Sequence, residues 1–223
     1  MQRFYIDELR NTIDDDSVEI QYVNSQQILV DGELLSAYID CNNLESKKKI
    51  FRRAEERAYS YLSSFTCTKN PDVQDFLRTK CISFQKQNST RTYLLISEED
   101  KKILGYYSLA LKPVFLEPKT FPSNRRRLTN IIKHEDCELV NAFLIGQIGR
   151  DDQYTSEDIT LADFLDIILS QIEDVRKVVG GASILVEVSD EPKLIKKYQE
   201  YGFELLQNDR TSLSQLWQFS LNY

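Results

Sequence analysis

At 223 residues the chain is long enough for one large domain, or for one domain with a small extension. Its 41% apolar and 28% charged residues are ordinary for a soluble globular protein, and no run approaches the roughly 18 apolar residues of a membrane span. A net charge of −7, with a pI near 5.0, argues against a broad nucleic-acid surface, which needs many cations to displace condensed counterions.

The start of the chain, Met1-Gln-Arg-Phe-Tyr-Ile-Asp-Glu8, has no apolar core of signal-peptide length, so the expected location is the cytoplasm. Cys41, Cys67, Cys81 and Cys137 are widely spaced, and without an export signal they are expected as reduced thiols. No close cysteine pair offers zinc-ligand spacing. The cluster His134, Glu135, Asp136 and Cys137 reads more simply as a solvated loop than as a metal or nucleophile site, and no metal is expected.

Residues 1–58 read as an extension packed on a main domain of residues 59–223. In the extension, Asp14-Asp-Asp16 is a turn, Val18–Val23 and Gln27–Val30 are short strand-like segments, and Asp31-Gly32 is a hairpin dipeptide. Lys47, Lys48, Lys49, Arg52 and Arg53 read as the solvated face of a helix, with an anion-binding patch as the alternative. Tyr59–Phe65 is expected as a first strand. Asn70 or Asp72 should cap a helix running to Gln85, with Val73, Phe76, Leu77, Cys81 and Phe84 facing the core at helical spacing. Arg91–Ile96 and Ile103–Leu111 read as paired strands about a polar turn at Ser97–Asp100. Pro113–Asn124 reads as a loop, followed by a short helical piece from Arg125 to Lys133.

Leu139–Gly149 is almost wholly apolar, the pattern of a strand buried on both faces. Ile159–Val179 reads as a helix whose stripe is Leu161, Phe164, Leu165, Ile168, Leu169 and Ile172, ended by Gly180-Gly181. A strand at 183–188, a short helix carrying Leu194, Ile195, Tyr198 and Tyr201, and a closing strand near Leu216–Leu221 complete the chain. A right-handed crossover between 139 and 188 places two parallel strands side by side. The expected fold is therefore α/β (α+β): a mixed, mostly antiparallel central sheet with helices on both faces.

Three segments in order carry a resemblance. They are Phe65-Thr-Cys-Thr-Lys-Asn-Pro-Asp-Val-Gln-Asp-Phe-Leu77, then Ser89-Thr-Arg-Thr-Tyr-Leu-Leu95 with Ile103-Leu-Gly-Tyr-Tyr-Ser-Leu109, then Leu194-Ile-Lys-Lys-Tyr-Gln-Glu-Tyr-Gly-Phe203. Together they resemble the GNAT (acyl-CoA N-acyltransferase) superfamily, and more narrowly a bacterial branch that includes the toxins of toxin–antitoxin pairs. The resemblance covers roughly residues 60–223 and leaves the first 60 unaccounted for.

What it implies is an acetyl-CoA-dependent N-acetyltransferase in which an amine attacks the thioester directly, in a ternary complex. Tyr198 would reprotonate the coenzyme A thiolate, and Glu138 or Glu187 would take the amine's proton. Backbone groups of Gln147, Ile148 and Gly149 would meet the pantetheine arm, and those near Ile148 and Gly149 would polarise the carbonyl. Arg150, Ser156, Asp158, Ile159, Thr160 and Glu191 complete the expected coenzyme A site. Arg125, Arg126 and Arg127 would border the acceptor, which the resemblance leaves as a small molecule, a protein or an aminoacyl-tRNA; the net charge opposes the last. A homodimer is compatible with the resemblance, and no membrane partner is implied.

One departure stands out. Relatives place glycines in the loop that closes on the pyrophosphate, whereas Asp151-Asp-Gln-Tyr-Thr-Ser-Glu-Asp-Ile-Thr160 has none. Ser156 and Asp158 fall at glycine positions, and Asp151, Asp152, Glu157 and Asp158 bring four carboxylates to a phosphate site. Either Asp158 or Ser156 caps the next helix and its end amides still bind phosphate, or the fold survives as a binding or regulatory protein with weakened or lost coenzyme A binding.

Overall fold

The computed structural model describes residues 49, 52, 56, 58–97, 100, 102–116, 139–181, 183–209 and 216–222. Most of the expected 1–58 extension, and the 117–138 segment with Arg125, Arg126, Arg127 and Glu138, lie outside the described residues. By contact the chain divides into two compact units. One takes the described residues up to Ser108 with Ile148–Thr155; the other takes Leu109–Gln147 and those from Ser156 onward. No helix among the described residues is long and apolar enough to cross a membrane.

The first unit opens on a helix, not the expected strand. Residues 58–62 are helical, and the hydroxyls of Ser63 and Ser64 turn the chain by donating to the carbonyls of Ser60 (2.6 Å) and Tyr61 (2.7 Å). Ala58, Leu62 and Phe65, all fully buried, are spaced four and three apart, which is helical periodicity that the intervening serines obscure. Asn70 then caps α1 (Pro71–Asp75), its side-chain oxygen accepting from the Val73 amide at 3.3 Å. A π turn at Phe76–Lys80 leads into α2 (Cys81–Lys86). That turn holds one residue more than an α-turn and so rotates the inward face. As a result Phe84, expected in the core, is 38% exposed, while Ile82 and Gln85 are buried beside Cys81.

The strands β1 (Arg91–Ile96) and β2 (Ile103–Phe115) follow. β2 runs through Pro113, where a loop was expected. β1 has only six residues, so the far half of β2 outruns it, and a proline without an N–H costs little on an edge that β1 does not reach. Leu94, Ile103 and Tyr106 join Val73, Phe76 and Leu77 in one core, and the Tyr106 hydroxyl donates to the Val73 carbonyl at 2.6 Å.

In the second unit, β3 (Leu139–Arg150, entering the first unit at Ile148) is not buried on both faces as expected; Leu139 is 42% exposed, and Asn141 and Gly146 are open. α3 (Leu161–Val179) returns the chain to β4 (Ser183–Val188), with Phe164, Leu165, Ile168 and Ile172 buried. Gly180 ends α3 at φ +75°, a conformation that residues with a Cβ rarely adopt. α4 (Pro192–Glu200), β5 (Glu204–Asp209) and β6 (Leu216–Asn222) finish the chain. The strands lie in the order β1-β2-β3-β4-β6-β5. β3 and β4 are parallel, and β6 runs antiparallel to both β4 and β5, making a mixed sheet.

Candidate active site

The parallel ladder between β3 and β4 is short: Phe143, Leu144 and Ile145 face Ile184, Leu185 and Val186. β4 stays paired with β6 up to Val188 opposite Trp217, while β3 runs on without β4. From Gly146 onward, the backbone groups on that side of β3 are therefore released from pairing with β4. Gln147 is the last residue of this stretch in the second unit; Ile148, Gly149 and Arg150 continue the strand in the first.

Gly149 is required by space. A Cβ built on it would lie 2.5 Å from Val73 Cγ1, 3.0 Å from Tyr106 Cε1 and 3.2 Å from Phe65 Cζ. Gly149→Ala is expected to destabilise the protein by about 1–3 kcal/mol, the usual cost of overpacking a filled core. A denaturation midpoint equal to that of the unmutated protein would show that the neighbours yield freely.

The glycine-free loop is held by bonds from its own side chains. Asp151 is 2% exposed, and its carboxylate accepts from the Thr66 amide (2.7 Å) and the Gln153 amide (2.9 Å). Asp152 accepts from the Thr68 amide at 2.8 Å, which holds its carboxyl below the usual range. Gln153 accepts from Lys102 Nζ (3.2 Å), and the Tyr154 hydroxyl donates to Asp100 (2.9 Å). All these residues belong to the first unit. Two of the four carboxylates expected to oppose a phosphate are therefore consumed in holding the loop.

The rest of the loop opens α3 in the second unit. Ser156 and Asp158 are exposed and Ile159 is buried. Neither Ser156 nor Asp158 caps the helix; Thr160 does. Its hydroxyl accepts from the Asp163 amide (3.2 Å), while Asp163 accepts from the Thr160 hydroxyl and the Thr160 amide (2.7 Å), a reciprocal capping box. Those bonds hold the Asp163 carboxyl below the usual carboxylate range. Leu161 and Ala162 retain the first-turn amides that have no partner within the helix.

Tyr198 sits on α4, 7% exposed. The Phe203 amide donates to the Tyr198 carbonyl (3.0 Å) and the Gly202 amide to the Gln199 carbonyl (3.0 Å), with Gly202 at φ +104°. This is a Schellman end, which pairs the third residue from the helix terminus with the second one beyond it, in hydrogen bond and in packing. The rings of Tyr198 and Phe203 meet edge to face at 5.5 Å. The spacing Tyr-x-x-x-Gly-Phe is thus what ending this helix requires, and it aims the tyrosine inward. The Tyr198 hydroxyl has no hydrogen bond among the described residues, and burial pushes its pKa up to about 12. Tyr201, expected on the same apolar stripe, instead donates to Asp166 of α3.

Glu187 of β4 is bound to Lys112 of β2 at 2.5 Å, so the lone pairs a base would use already face an ammonium. Glu191 is the N-cap residue of α4, exposed, with no capping bond from its side chain. Sequence reasoning missed Thr66, Thr68, Asp100 and Lys102, which hold the loop. Nothing in their local sequence marks them. Among the described residues no three His, Cys, Asp or Glu side chains gather as a metal site.

No protein-family model matches the sequence, and no curated protein matches it. Solved structures share its fold. AtaT complexed with acetyl-methionyl-tRNAfMet has a TM-score of 0.53 at 21% identity, over 70% of this chain and 85% of that one. AtaTR bound with AcCoA gives 0.53 at 20%, over 71% and 86%. A Tyr-to-Phe mutant of KacT gives 0.52 at 20%, over 73% and 89%. At such identities the likeness shows the fold alone: a mixed α/β fold shared with AtaT and KacT.

Proposed function

We propose that this chain, which has the GNAT fold of AtaT and KacT, is an acetyl-CoA-dependent N-acetyltransferase acting by direct attack of an amine in a ternary complex. The observation that carries this is Tyr198: a buried tyrosine with no hydrogen bond to its hydroxyl among the described residues, aimed inward by its own helix end.

The amine nitrogen bonds to the thioester carbonyl carbon, and backbone amides of β3 are the candidates to meet the developing oxyanion. The carbon–sulfur bond then breaks, and the thiolate takes the Tyr198 proton. A pKa of about 12 keeps Tyr198 a neutral donor throughout the physiological range. A thiolate withdrawn from water beside this tyrosine is a stronger base than in solution, because burial disfavours its charge. The amine's proton passes to water, directly or by way of Glu138, which lies outside the described residues, since the other expected carboxylate, Glu187, is committed to Lys112. Tyr198 regains its proton from solvent once the thiol has left. The released backbone of Gly146 and Gln147 suits the amides of a pantetheine arm, and the Leu161 and Ala162 amides with the Ser156 hydroxyl suit its pyrophosphate. Arg150 and Glu191 remain candidates at the edges of that site. AtaT carries an acetylated aminoacyl-tRNA, but a chain of net charge −7 is poorly suited to a polyanion, so the acceptor class is left as an amine.

One observation favours the alternative, a GNAT-fold binding or regulatory protein with weakened coenzyme A binding. The capping box puts the ionised Asp163 carboxylate where the pyrophosphate would gain from the helix dipole. Calorimetry with acetyl-CoA separates the two. Heat saturating at or below millimolar cofactor is expected, and no heat would sink the enzyme reading. Asp163→Asn is expected to tighten acetyl-CoA by about 2- to 5-fold, the scale of one charge at a helix end.

A further inference from the structure

Among the described residues of the first unit, Arg78 is a cation that is held in place but not neutralised. Arg78 lies within the π turn Phe76–Lys80, partly buried, and its Nε donates to the Phe65 carbonyl at 2.7 Å. Among the described residues it has no other hydrogen bond and no ion pair. Three acids of the same helical segment and of the loop after β3 have other partners: Asp75 pairs with Lys80 (2.5 Å), Asp151 accepts from the Thr66 and Gln153 amides, and Asp152 from the Thr68 amide. A guanidinium pinned through Nε presents its terminal amino groups in a plane set by the fold, the geometry that grips a carboxylate or phosphate with paired hydrogen bonds.

The backbone around Arg78 is also unusual. π turns are rare, worsen helical hydrogen bonding, and concentrate at functional sites. Without the inserted residue Arg78 would swing by roughly 100° around the helix. The residue that holds it, Phe65, has its ring 3.2 Å from an ideal Cβ on Gly149, at the end of β3 where the thioester carbonyl would be polarised.

We propose that Arg78 binds an oxyanion, a carboxylate or phosphate, carried by the acceptor amine; the word acceptor rests on the acetyltransfer reading. The overall negative charge sharpens the choice. A polyanion needs many cations to displace its counterions, whereas one pre-set guanidinium serves a single compact oxyanion.

The test is a titration of 15N-labelled protein with inorganic phosphate and, separately, with acetate, following the Arg78 Nε–H resonance, which is assigned by its loss in Arg78→Lys. A saturable shift at millimolar anion is expected, with no binding in Arg78→Lys or Arg78→Gln and no change when coenzyme A is present. A response to phosphate alone marks a phosphorylated acceptor, and one to acetate a carboxylated acceptor. No saturable shift with either anion, binding retained in both variants, or a shift abolished by coenzyme A overturns the proposal. The titration contains no acetyl-CoA and needs no turnover. It can therefore fail while acetyl-CoA still binds, and succeed where acetyl-CoA does not.

Discussion

Tyr198→Phe is expected to lower turnover by about 10²–10⁴-fold, the usual share of a positioned proton donor, with acetyl-CoA affinity nearly unchanged. The substitution is clean because the hydroxyl has no hydrogen bond among the described residues, so its removal leaves no buried partner unsatisfied. The ring keeps its edge contact with Phe203, and the Schellman bonds are backbone bonds. Steady-state kinetics with calorimetry reads the two effects apart; an unaltered rate would return Tyr198 to the core as an ordinary packed tyrosine. The pH dependence follows from the sign of its shift. A tyrosine whose folded pKa is raised to about 12 stays protonated where the unfolded chain has begun to lose its proton, near the reference value of about 10. Its contribution to stability is therefore present below about pH 10 and is lost as pH rises through about 12. Turnover should accordingly show no alkaline limb from the donor across the physiological range, and Tyr198→Phe should unfold less readily than the unmutated protein above pH 10.

Asp151→Ala should be the most damaging change in the loop, at about 2–4 kcal/mol. The carboxylate is 2% exposed and accepts two backbone amides, so its loss strands the part-buried Thr66 amide and frees the segment after β3. Asp151→Asn keeps one acceptor oxygen in place and should recover part of the loss. Asp152→Ala, at an exposed site with one amide bond, should be barely measurable. Urea denaturation compares the three, and equal midpoints for Asp151→Ala and Asp152→Ala would remove the anchor from the account. If acetyl-CoA binds, its affinity should fall with Asp151→Ala in proportion to the order lost from the loop.

The site was legible in uneven measure, for physical reasons. Tyr198 and its Gly-Phe stop could be read because a Schellman end is written within six consecutive residues. The helix cap of α3 was misplaced by two to four residues. Ser156, Asp158 and Thr160 are all good N-caps, and only the reciprocal bond with Asp163 distinguishes the last. The helix at 58–62 looks like a strand in sequence because serines and tyrosines between Ala58, Leu62 and Phe65 mask a helical period. The exposure of Phe84 was not readable, since nothing in Phe76–Lys80 announces a π turn.

By itself the sequence determined the element boundaries that rest on local backbone chemistry: the Asn70 cap with Pro71, the Gly180 stop, and the Gly202 turn with Phe203. Each depends on φ, a missing N–H or a capping oxygen within a few residues. Only the tertiary structure decided which charges face a ligand. Asp151 reaches Thr66 across 85 residues, Glu187 reaches Lys112 across 75, and Arg78 has no carboxylate partner among the described residues. A carboxylate has the same chemistry wherever it stands in the chain. Whether it repels a phosphate or holds a loop depends on which distant amide the fold brings to it.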